Sequence, residues 1–164
     1  MKAMVLRVVL AGLAIVLSAS WTLAEETDQT YIRQTIKLAR QAMEAGDDPF
    51  GAVLVKDGKV LVTAQNTVRT DHNVTHHAAT NLLAAAYRKL GIEAIKGSTL
   101  YTSCEPCAMC CGTIYLFGVK RMVYGLSAKR LGAIVGWEQP ERKKTNSKMK
   151  IPFNFTADKG DVFL

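Results

Sequence analysis

The amino-acid sequence predicts an α/β domain in which a mixed sheet is covered by helices on both faces. Helical and strand-like periods alternate from Thr27 to Gly136, an Asp-Gly pair joins two consecutive strands, and the later strands are separated by helix-length segments. At 164 residues, 49% hydrophobic and 21% charged, with no repeat at solenoid or propeller periods, the chain has room for one core.

Each element has a local cause. In "DQTYIRQTIKLARQAMEAG", Ile32, Ile36, Leu38, Ala39 and Met43 recur at helical spacing, and Gly46 is a natural stop. "GAVLVKDGKVLVTAQN" sets two apolar runs around Asp57-Gly58, a strong short-range hairpin signal. "HHAATNLLAAAYRKLG" is rich in Ala and Leu and ends at Gly91, which places His77 near the start of a second helix. "STLYTS" is a short strand, after which Pro106 opens a third helix through "CAMCCGTIYLFG". "KRMVYGL" is a further strand, and "SAKRLGAIVG" a fourth helix capped by Ser127. Beyond Trp137 the chain reads as loop, with a strand around "KIPFNF".

Residues 1–24 differ in kind. Lys2 and Arg7 precede the ten-residue apolar run Val8 to Leu17, and small residues at Thr22 and Ala24 follow it, the pattern of an export signal. Ten residues are too few for a stable membrane span. The expectation is a signal peptide over 1–24, a single domain over 25–164, and a periplasmic or secreted protein. Without a cleaved signal it would be cytoplasmic. The formal charge of +7 falls to +5 once Lys2 and Arg7 are removed, so the domain stays basic.

All four cysteines, Cys104, Cys107, Cys110 and Cys111, lie within eight residues. A helical turn carrying three of them suits metal ligation better than two disulfides, and neighbouring cysteines bridge only under strain. Cys104/Cys107 and Cys107/Cys110 are both C-x-x-C pairs. If Pro106 opens the helix, Cys107 and Cys110 share its first turn, where the helix N-terminus favours thiolates. His77, Cys107 and Cys110 alone would hold a zinc ion with an open fourth position, as catalysis requires, whereas Cys104 would close the site and make it structural. His76 and His72, in the turn before the helix, are lesser candidates.

"HAA" at 77–79 followed by "EPCAMC" at 105–110 resembles the H-x-E…P-C-x-x-C signature of the zinc-dependent cytidine, guanine and tRNA adenosine deaminases, and the likeness runs from Pro49 to Ser127. The resemblance implies a three-layer α-β-α fold with a five-stranded mixed sheet of the cytidine deaminase-like type, and a homodimer. It makes His77, Cys107 and Cys110 the Zn2+ ligands. It also implies that Asn66 hydrogen-bonds the substrate, that Phe50 forms a pocket wall, and that the backbone of Ala78 meets the base edge.

One position departs from the family. Ala79 stands where the family carries the glutamate that takes a proton from the zinc-activated water and returns protons to the ring and the leaving ammonia. General acid–base catalysis is worth about 10²- to 10⁴-fold, so the resemblance implies a deaminase that binds zinc and substrate with turnover nearly abolished. Glu105, the nearest carboxylate in sequence, is not the shuttle position. An intact ligand set beside one missing carboxylate reads as an inactivated form of a working deaminase, a zinc-containing binding protein being the alternative.

The expected substrate is a small free nucleobase or nucleoside. "PFGAV" and "TSCEPC" are similar to guanine-type enzymes, but Leu116 stands where guanine deaminases carry a tryptophan, and "GTIYLFGVKR" leans toward cytosine-type ones. RNA is the alternative partner, since tRNA adenosine deaminases share the signature and "ERKKTNSKMK" holds five Lys or Arg. No interleaved aromatics accompany that run to stack bases.

Overall fold

The computed structural model describes residues 28–136 and a short strand at 156–158. The expected export signal, the strand around "KIPFNF" and the basic run of residues 141–150 lie outside the described residues. Helix α1 covers residues 28–44. It is followed by β1 (Gly51–Lys56), β2 (Lys59–Gln65), α2 (Ala78–Leu90), α3 (Ile92–Ile95), β3 (Thr99–Cys104), α4 (Ala108–Leu116), β4 (Arg121–Leu126), α5 (Ala128–Val135) and the three-residue β5 (Thr156–Asp158).

The strand order is β2-β1-β3-β4-β5. β1 pairs antiparallel with β2 and β3, and the pairs β3/β4 and β4/β5 are parallel, so the sheet is mixed as expected. Its four longer strands carry the fold. Asp57 (φ 51°) and Gly58 (φ 72°) make the two-residue turn between β1 and β2, both in the left-handed region that this turn demands.

Pleat alternation along β1 builds two cores. Ala52 and Leu54 join Leu82, Leu83 and Ala86 of α2, Ile95 of α3 and Ile114 of α4, whereas Val53 and Val55 meet Ile32 of α1, Tyr101 and Val123. Helices therefore lie on both faces, giving three layers. α4 is the crossover between parallel β3 and β4, and this connection carries the two cysteines of the site to the sheet end where β2 runs into α2.

The buried stripe of α1 differs from expectation. Ile32, Thr35, Ala39 and Ala42 are buried, and Met43 is 59% exposed. Thr35 can enter the core because its hydroxyl donates to Ile32 O at 2.7 Å. The rotation follows from Gly51, where a Cβ would stand 2.2 Å from Thr35 O and 2.6 Å from Leu38 Cβ, so helix and strand touch backbone to backbone. Gly51→Ala should destabilise the fold by about 1–3 kcal/mol, read as a lower urea midpoint at unchanged slope.

The start of α1 is fastened across the sheet. Asp28 accepts from Tyr101 Oη (2.6 Å) and takes a two-pronged contact from Arg121 (2.8 and 2.5 Å). Burial works to raise the Asp28 carboxyl, but the bonds from Arg121 and Tyr101 outweigh it and hold the group below the usual carboxylate range. A depressed folded-state pKa means stability that is present above the unfolded value near 4 and lost as pH falls through the folded value. Asp28→Asn should therefore flatten the acid limb of the stability curve below about pH 4, measured by urea midpoints against pH.

Candidate metal centre

The sequence places the ligand residues at helix starts. His77 is the N-cap of α2 and Cys107 the N-cap of α4, both in extended backbone. Cys107 thus lies just outside the helix and not within its first turn, with Pro106 one residue earlier. Neither helix has a side-chain cap or an acid in its first turn. Two positive helix ends thereby converge on one point, which favours anionic sulfur there.

Their side chains meet. His77 Nδ1 lies 3.6 Å from Cys107 Sγ and 3.7 Å from Cys110 Sγ, and the two sulfurs are 3.6 Å apart. Tetrahedral zinc, at about 2.3 Å from sulfur and about 2.0 Å from nitrogen, separates two sulfurs by about 3.8 Å and sulfur from nitrogen by about 3.5 Å. The triangle fits that ion. Among the described residues the cluster is His77, Cys107 and Cys110, with no fourth protein donor. Cys104, at the end of β3 opposite Leu126, is not part of it.

The donors are prepared for metal. A bond from the Cys110 thiol, aided by the N–H groups of Cys110 and Met109 and by His77, outweighs burial and brings the Cys107 thiol down to about 5. The same bond, together with burial, pushes the Cys110 thiol up. One thiolate forms readily, and the second proton leaves when a cation takes its place.

The remaining candidates are distributed as follows. Asn66 is 2% exposed at the end of β2, its N–H donates to Phe50 O at 2.9 Å, and its Oδ1 accepts from Val68 N at 3.0 Å. It does form the turn that its residue type suggests, while its Nδ2 meets no acceptor among the described residues. Phe50 packs partly buried against the α2-side core. Ala78 and Ala79 open α2, each 4% exposed. Glu105 is committed elsewhere: its Oε2 accepts from Ala128 N at 2.8 Å at the start of α5. Leu116 is 77% exposed at the end of α4, and His72 is exposed in a turn with φ 50°.

His76 is not simply solvated. Its Nδ1 lies 2.7 Å from Asp71 Oδ2 and its Nε2 3.0 Å from Asn73 Nδ2. Asn73 Oδ1 accepts from Thr75, so Nδ2 is the donor toward His76, and His76 Nδ1–H donates to Asp71. These contacts are two to five residues apart in a loop, with no period in sequence to reveal them. Asp71 and His76 themselves line a groove of about 700 Å³, together with Gln65, Arg88, Met109 and Phe117 among others. None of the three donors lines it.

Residues 25–126 match the cytidine and deoxycytidylate deaminase zinc-binding region. The chain belongs to this deaminase family. It is 40% identical over 113 residues to a probable cytosine deaminase of Schizosaccharomyces pombe, covering 68% of each chain. It is 38% identical over 98 residues to a tRNA-specific adenosine deaminase of Bacillus subtilis, covering 60% of this chain and 61% of that one. The solved structure of a guanine deaminase from Bacillus subtilis superimposes with a TM-score of 0.62 at 34% identity, over 71% of this chain and 74% of that one. The family is a zinc-binding one, and Zn2+ suits both the geometry and the donor set of the His77, Cys107 and Cys110 triangle.

Proposed function

We propose that the chain is a zinc-dependent hydrolytic deaminase of a free nucleobase or nucleoside, guanine-type or cytosine-type, held nearly inactive by Ala79. The observation that carries this is a three-donor cluster, with no fourth protein donor among the described residues, beside a helix whose first turn holds Ala79 and no acid. Bound zinc supplies a Lewis acid that activates water at neutral pH. The chain's own residues do the rest. Asn66 Nδ2 is the spare donor for the substrate ring or sugar, Phe50 walls the pocket, and the helix-end backbone at Ala78 faces the base edge. Ala79 can neither take nor return a proton, and Glu105 is held by Ala128.

Several partners belong to the same proposal. The relatives named for cytosine and guanine favour a small substrate, while the tRNA-specific relative and the net charge of +7 favour RNA as the second reading. A homodimer is supported by apolar side chains exposed on α4 and the end of α2, Tyr115, Leu116 and Tyr87 among them. Export rests on the charged and apolar pattern of residues 1–24. Among the described residues no helix is long and apolar enough to cross a membrane.

The test is equilibrium dialysis of the zinc-loaded chain against guanine, cytosine, cytidine, adenosine, guanosine and a tRNA anticodon stem-loop. One base or nucleoside should be retained without ammonia release, with retention weakened about tenfold or more by Asn66→Ala, a loss of about 1.4 kcal/mol. Retention of the stem-loop alone would replace this reading with the RNA one. Sedimentation of the same preparation should give twice the chain mass.

A further inference from the structure

Beyond the ligands themselves, one side chain ties together the segments that carry the metal and the substrate contacts. Asn81, in the first turns of α2, sends Nδ2 to Gln65 O (3.0 Å), Thr67 Oγ1 (2.9 Å) and His76 O (3.1 Å). Gln65 and Thr67 flank Asn66, and the His76 carbonyl belongs to the peptide that leads into His77. A single amide thus holds the chain on both sides of the proposed substrate residue and at the approach to a metal ligand.

The network closes on itself. Thr67 Oγ1 donates to Asp71 Oδ2 at 2.6 Å, and Asp71 Oδ2 receives His76 Nδ1–H at 2.7 Å. Thr67 N donates to His76 O at 3.1 Å, beside the bond from Asn81. The ring runs Asn81, Thr67, Asp71, His76 and back to Asn81 through the His76 carbonyl. An amide is the group this position needs, because three oxygens surround it and its Nδ2 offers two N–H donors to share among them, the His76 carbonyl being served by Thr67 N as well. A carboxylate of the same size would face them as a fourth acceptor, and an apolar side chain would take away their shared donor and the link between the two segments.

We propose that Asn81 is a positioning residue for the metal site: it sets the backbone of His77 and Asn66 together, so that zinc affinity and substrate contact depend on the same hydrogen-bond ring. The inference rests on the zinc assignment above. Groups that orient metal ligands through hydrogen bonds typically contribute 10- to 100-fold to metal affinity. Removal of the amide should therefore be felt at a metal it never touches.

The experiment compares the full chain with its Asn81→Asp variant, loaded with zinc or with cobalt(II). Zinc affinity is measured by competition with a chelator, coordination by the visible absorption of cobalt, and loop order by hydrogen exchange of residues 66–77. Asn81→Asp should lose about 10- to 100-fold in zinc affinity, alter the cobalt bands and speed exchange in the loop. If Asn81→Asp does not fold, Thr67→Val and Thr67→Ser decide the matter. Removal of the hydroxyl should weaken zinc binding in the same direction, and serine should restore it. Zinc affinity within about twofold of the parent and unchanged cobalt bands, with only a lower melting temperature, would overturn the inference and leave Asn81 a structural residue. A parent chain that binds no zinc would overturn the zinc assignment along with it.

Discussion

Ala79→Glu should convert the zinc-loaded chain from one that retains its substrate into one that releases ammonia, with a gain of about 10²- to 10⁴-fold in turnover. The position suits the added carboxylate. It lies in the first turn of α2, two residues from His77, in a turn that holds no other acid. The helix end stabilises the anion, while burial at a site where Ala79 is 4% exposed works in the opposite direction and raises its pKa toward the range of a proton carrier. The same burial carries a cost in stability, so the variant should gain activity while its melting temperature stays level or falls. A folded, zinc-containing Ala79→Glu chain that releases no ammonia from any base or nucleoside would contradict the deaminase reading and favour a binding role. Glu105→Gln in that background should leave turnover essentially intact, because Glu105 serves the start of α5.

Metal removal should produce the second large effect. A zinc ion held by the folded arrangement of His77, Cys107 and Cys110 should contribute about 4 kcal/mol of stability at a free concentration about 1,000-fold above its Kd. Chelation should remove that contribution, and Cys107→Ser should prevent its recovery when zinc is returned. Cys104→Ser should leave one zinc per chain. A stoichiometry that depends on Cys104 would mean a closed, four-ligand site and a structural ion. Metal affinity should also fall as pH drops, since protons compete for the two sulfurs.

What could be read from the sequence was local. Asp57-Gly58 gives its turn because two adjacent residues must adopt positive φ, and Ser127 caps α5 by accepting from Arg130 N three residues on. The His77, Cys107 and Cys110 spacing was readable for the same reason: each residue sits at a helix start that the sequence announces. Contacts between distant segments were not readable. Thr35 takes a core position expected for Met43 because α1 lies on the bare backbone of Gly51, a pairing of elements with no trace in the helical period. One-turn α3 is too short to show a period, and its Ile95 enters the core through packing against α2. The ring through Asn81 joins β2, a loop and α2 by side-chain bonds, which leave no pattern of apolar residues to follow.

Zinc K-edge X-ray absorption on the purified, zinc-loaded chain reads the ligand set itself. One zinc is expected, with two sulfurs at about 2.3 Å and nitrogen or oxygen donors at about 2.0–2.1 Å, the light-atom shell changing when substrate is added. Three or four sulfurs, or a shell indifferent to every base and nucleoside, would contradict it.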